Sequence, residues 1–132
     1  MKYIPVVAGV LLGLVFVFAS VVVLFNLFPA PAIPEGTPMW HFMAAFGPTG
    51  YLTFVKVLEL LGGILVAIPR TRNIGLLILG PIIVNILAYH IFVMGGEGLF
   101  GWMVLAAAGL ALYLLWVERR AFAQLVTRPR SQ

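Results

Sequence analysis

The chain contains no cysteine. That absence removes structural disulfides, dithiol redox chemistry, thiolate nucleophiles and thiolate metal sites together, and leaves the redox compartment unreadable from cysteine usage. Charge is the second scarcity. Only 9% of the 132 residues are charged against 63% hydrophobic, and the mean hydropathy is +1.13. A water-soluble domain carries about a quarter charged residues, so the composition is that of an integral membrane protein. The net charge of +4 does not signal nucleic acid. Arg70 and Arg72 share one short turn, and Arg119, Arg120, Arg128 and Arg130 gather near the end, which is the ordinary signature of cytoplasmic loops. No metal-ligand cluster and no nucleotide motif is present, so no catalytic residue is assigned.

What the chain has in abundance is long apolar runs. Cut at their breakers they number four, residues 4–28, 51–68, 74–94 and 99–117, each near the ~17–25 residues that cross a hydrocarbon core. Backbone polar groups in lipid must be paired within the segment, so runs of this length read as helices. The expectation is one membrane domain over residues 1–132: all-α, a bundle of four transmembrane helices. The first run has Lys2 before it and Ala30-Pro31-Ala32 after it. Its apolar stretch far exceeds the ~7–15 residues of a signal-peptide core, so it reads as a retained helix. Its Gly9 and Gly13, four residues apart, let another helix approach closely, a homodimer partner included.

Basic residues set the expected orientation. The loop 29–50 and the turn 95–98 carry none, whereas the turn 69–73 and the tail carry six of the eight, so both termini are expected on the cytoplasmic side of the cell membrane. Trp40 and Trp102 then fall at the outer interface and Trp116 at the inner one. Residues 29–50 form the expected outer lid segment, with a proline-rich, extended first part. The run MWHFMAAF after Pro38 reads as a short interfacial helix bearing Trp40 and His41. His41 there reads as a plain interfacial histidine.

Against this background Glu59 stands out, in the middle of the second run with Lys56 three residues before it. An ionised side chain at that depth costs ~2.5–3.5 kcal/mol on insertion scales, so it needs a partner. Counting ~1.5 Å per residue puts Glu59 and Asn85 level on antiparallel neighbours. Asn85 is therefore the expected hydrogen-bond partner of a Lys56–Glu59 ion pair. Tyr89 is expected on the face of Asn85, and His90 about 7 Å outward. Pro81 withdraws a donor from the Leu77 carbonyl, which predicts a kink below Asn85. Gly62, Gly63, Gly75 and Gly80 should close the inner half and leave a small outer pocket lined by Glu59, Asn85, Tyr89 and His90. The same residues also admit a purely structural reading, with the pair neutralising itself and Asn85 as interhelical glue.

The run Lys56 to Phe92, with Glu59-Leu60-Leu61-Gly62-Gly63 on one helix and Pro81-x-x-Val84-Asn85-x-x-x-x-His90 on the next, resembles the central block of the DoxX-like family of small four-helix membrane proteins; Thr49-Gly50-Tyr51-Leu52 fits as well. The resemblance is close over about a third of the chain. It implies association with a membrane redox enzyme and a quinone as ligand, since relatives include subunits of quinone-reducing oxidoreductases. The superfamily's distant enzymes, the vitamin K epoxide reductases, work through cysteine pairs, which this chain lacks. Two function classes follow: a binding or accessory membrane protein for an apolar ligand such as a quinone, or a proton-coupled small-solute carrier using Glu59 and His90.

Overall fold

A computed structural model describes residues 3–29 and 32–127, and all regular structure among them is helical. Helix α1 spans Tyr3–Leu24, α2 Pro38–Phe46 and α3 Tyr51–Ala67. A 3-10 turn, Pro69–Thr71, leads into α4, Arg72–Ala88, which continues as a π-helical turn over Tyr89–Val93. Helices α5, Trp102–Val117, and α6, Arg119–Val126, complete the chain. Lys2, Ala30, Pro31, Arg128 and Arg130, used above for the signal-peptide comparison and the basic tail, lie outside the described residues.

By length and composition α1 and the continuous stretch Pro69–Val93 can each cross a membrane. Two more spans are reached if α2 with α3, bent by 86°, and α5 with α6, bent by 76°, each count as one. The first expected helix is shorter than its apolar run because Asn26 stops it. Asn26 takes a left-handed φ of 51°, Leu27 N–H reaches back to Val22 O at 3.0 Å and Asn26 N–H to Val23 O at 3.3 Å, the paired bonds of a Schellman stop. Helix α2 forms where the sequence places it. Pro38 sits in its first turn, and the Thr37 hydroxyl accepts from Trp40 N–H at 3.2 Å. The tight α3–α4 connection is held by Thr71, whose hydroxyl donates to Leu65 O at 2.7 Å.

Helices α1, α3, α4 and α5 pack as a ring: α1 on α3, α3 on α4, α4 on α5, and α5 back on α1. The α1–α3 seam is backbone against backbone. A Cβ on Gly13 would lie 2.5 Å from the Gly63 carbonyl oxygen, and one on Gly9 2.8 Å from that of Val66. The Gly9–Gly13 pair is thus consumed within the chain and is not free for a second copy. Gly62 meets Leu79 and Ile78 of α4, and Gly75 meets the Val66 backbone. Gly80 departs from expectation: a Cβ there would meet nothing within 4 Å.

Leu12, Phe16, Val66, Leu79 and Leu114 fill the centre, yet Ser20, Glu59 and Arg72 are buried too, while Leu14, Phe18, Val84 and Leu112 face out. Polar groups inside and hydrocarbon outside is the arrangement expected of a chain dissolved in lipid. Helix α4 runs unbroken through Pro81; the irregular backbone falls further along, at Tyr89–Val93.

Candidate functional site

Lys56 and Glu59 form the expected ion pair, Nζ to Oε2 at 3.1 Å, with the Glu59 side chain 4% exposed and that of Lys56 24%. Glu59, Gly62, Gly63 and Val66 are the buried stripe of α3. Within it Gly62 meets α4 and Gly63 meets Gly13, Phe16 and Val17 of α1. Lys56 lies seven residues before Gly63 and shares its edge, so the ion pair belongs to the α1–α3 seam.

Asn85 is not its partner. Depth counting holds only to within a turn: Gly62 faces Leu79 and Val66 faces Gly75, a register that sets Ile82 level with Glu59 and Asn85 level with Lys56. The azimuth differs. The buried face of α4 runs through Arg72, Gly75, Leu76, Leu79 and Ile83, and Asn85, two residues past Ile83, points about 135° away from the centre of that face. The Asn85 side chain is exposed and makes no hydrogen bond among the described residues. An almost uniformly apolar helix carries no stripe from which that rotation could be read.

Tyr89 and His90 assemble elsewhere, at the α2 end. His90 continues the packed face of α4 one turn beyond Ile86, and its Nδ1 lies 2.8 Å from Ile86 O. A carbonyl only accepts, so Nδ1 carries the proton and Nε2 is left to the surroundings. Nε2 looks toward Gly98: a Cβ there would stand 3.6 Å from it and 3.3 Å from Cδ2. The loop keeps that space through Gly95, Gly96 and Gly98, all with positive φ, and is tied to the π turn by Gly96 N–H to His90 O at 2.6 Å. The His90 ring meets Tyr89 edge-on at 5.6 Å, Tyr89 meets Phe42 of α2 at 4.9 Å, Phe42 meets Phe46 at 4.8 Å, and Phe46 meets Tyr51 at 4.8 Å. Five rings thus join α4, α2 and the first turn of α3. Phe42 and Phe46 dock α2; the rings of Trp40 and His41, expected on the lid, meet edge-on at 5.1 Å with His41 exposed.

The expected single pocket therefore resolves into two groups. Tyr51 is level with the His90 cluster, and the eight residues from Tyr51 to Glu59 span about 12 Å. Two open apolar grooves, about 310 and 390 Å³, lie between α1 and α5 and share Leu11 and Leu110; no residue of either group lines them. Among the described residues no cluster of three or more His, Asp or Glu could hold a metal ion.

Two features escaped the sequence reading. Ser20 is fully buried and donates to Phe16 O at 2.6 Å. It lies seven residues past Gly13 on the seam face, within a turn of the Lys56–Glu59 pair in depth, and that spacing was the available signal. Arg72, expected as a solvated loop arginine, is buried: its Nη1 donates to Glu118 Oε1 at 3.3 Å, while Asn73 Nδ2 donates to Oε2 at 3.4 Å. Glu118 thereby clamps the start of α4 to the α5–α6 corner. Glu118→Gln is expected to lower stability toward the lower end of the ~3–5 kcal/mol that breaking a buried pair costs, because Glu118 is 27% exposed; thermal unfolding in detergent measures it.

No family model matches the chain, and no solved structure matches it. Over 73 residues the chain is 38% identical to a protein of Bacillus subtilis (strain 168) described as "Uncharacterized protein YwoB", the match covering 54% of this chain and 45% of that protein. The chain spans less than half the length of this relative.

Proposed function

We propose that α1, α3, α4 and α5 form a four-helix membrane bundle of the DoxX-like type, both termini cytoplasmic, that holds a small apolar ligand with a ring hydroxyl or carbonyl at His90. A quinol or quinone fits that chemistry, and the chain would serve a membrane redox system as a binding or accessory subunit. The orientation is supported by charge: Arg70, Arg119 and Arg120 lie at the α6 end, whereas residues 32–50 and 95–101 at the α2 end hold no lysine or arginine.

The carrying observation is the oriented imidazole. With Nδ1–H given to Ile86 O, neutral His90 offers Nε2 as an acceptor to a quinol hydroxyl; protonated, it donates to a quinone carbonyl. Its place in a π-helical turn agrees, since such turns cluster at functional sites. The aromatic rings of Tyr89 and Phe42 supply an apolar wall. The Lys56–Glu59 pair, closed on itself at 3.1 Å, supports a structural role for those two residues. The carrier reading needs Glu59 and His90 as successive steps, and the ~12 Å of depth between them excludes a direct hydrogen bond.

His90→Ala is expected to weaken binding of a short-chain benzoquinol by about 3–10-fold, the worth of one neutral hydrogen bond, with yield unchanged. Titration of the protein in nanodiscs measures it. Lower yield in His90→Ala, together with no ligand-dependent shift in Tm of the wild type, would leave His90 a structural residue.

A further inference from the structure

We infer that Asn85 seats a second copy of this chain, α4 against α4 across a two-fold axis, with the two side-chain amides paired reciprocally. The inference uses the membrane-spanning reading of α4 but not the ligand at His90.

Asn85 lies well inside the apolar stretch Pro69–Val93, exposed, its side-chain amide without a hydrogen bond among the described residues. The polar neighbours that could have reached it are turned elsewhere: Lys56 to Glu59, Tyr89 to Phe42. An amide has two N–H donors and a carbonyl acceptor, and hydrocarbon satisfies none of them. A second polar group opens on the same side. Pro81, one turn before Asn85 and also exposed, has no N–H to give the Leu77 carbonyl. The rest of that side is apolar, through Ile74, Leu77 and Val84.

The occupant follows from the chemistry of the group. An amide carries donor and acceptor together, so it is its own complement, and a charged partner would find no counter-charge on this side. Two copies inserted in the same orientation and related by a two-fold axis along the membrane normal put Asn85 opposite Asn85 at one depth. Buried amide pairs of this kind fix register between helices.

The cysteine-free chain makes the test direct. Val84→Cys, beside Asn85 and exposed, is placed in otherwise unaltered protein and oxidised with copper phenanthroline in native membranes, with Leu112→Cys on the outward side of α5 as comparison. Most of the Val84→Cys protein is expected to migrate as a disulfide dimer, several-fold more than Leu112→Cys. Adding Asn85→Leu should cut the yield several-fold, and Asn85→Gln, which keeps an amide, should restore much of it. Equal dimer yields at Val84 and Leu112, or an unchanged yield in Asn85→Leu, would overturn the proposal. Retention of every variant in the membrane pellet after alkaline extraction separates that failure from failure of the membrane-spanning reading.

Discussion

Replacing Lys56 by methionine alone is expected to destabilise the protein by about 3–5 kcal/mol, because it strands the Glu59 carboxylate in the α1–α3 seam. The side chains are unequally buried, Glu59 at 4% and Lys56 at 24%, so the two single variants should differ. Glu59→Gln leaves an ammonium on a long stem that can turn toward the helix surface, and should cost distinctly less than Lys56→Met. The double variant Lys56→Met, Glu59→Gln removes both charges and should recover most of the loss, since replacing a buried pair outright is often close to neutral. Unfolding of all three in one detergent gives the cycle. A double variant as unstable as Lys56→Met would mean that the pair is not the source of the cost.

The second large effect belongs to the glycines. Alanine at Gly13 or Gly75 would drive a Cβ into backbone, the Gly63 carbonyl in one case and the Val66 main chain in the other, and backbone cannot swing aside as a side chain can. Overpacking costs ~1–3 kcal/mol where side chains yield, and more where they cannot, so each variant should lose at least ~3 kcal/mol or fail to accumulate. Alanine at Gly80 or Gly109 meets nothing within 4 Å and should be neutral or slightly stabilising, by up to ~1 kcal/mol, because alanine is the better helix former. Size-exclusion profiles and Tm of the four variants distinguish tight seam from open surface. Equal tolerance at Gly13 and Gly80 would contradict the packing described.

Much of the helix layout was legible because lipid imposes a single rule on long apolar runs. The runs at 51–68, 74–94 and 99–117 correspond to α3, to α4 with its π turn, and to α5. The Lys56–Glu59 pair was legible too, since residues three apart on a helix are neighbours. What could not be read was rotation. Glu59 has Lys56 and the glycine stripe beside it to fix its face, whereas Asn85 sits in a helix apolar on every side, so its depth followed from counting and its direction did not. Arg72 was misplaced for a related reason. Loop arginines look solvated in sequence, and its partner Glu118 is 46 residues away in the chain. The π turn that carries Tyr89 and His90 has no sequence signal here; Pro81, which suggested the irregularity, lies inside the continuous helix α4.

The ligand site at His90 is the centre of the functional account, and native mass spectrometry of gently extracted protein tests it most directly. The account predicts a small apolar adduct of quinone or quinol mass on the wild type, retained in the Lys56→Met, Glu59→Gln double variant and reduced several-fold in His90→Ala. Wild-type protein that flies without such an adduct, or an adduct that persists undiminished in His90→Ala, would contradict it.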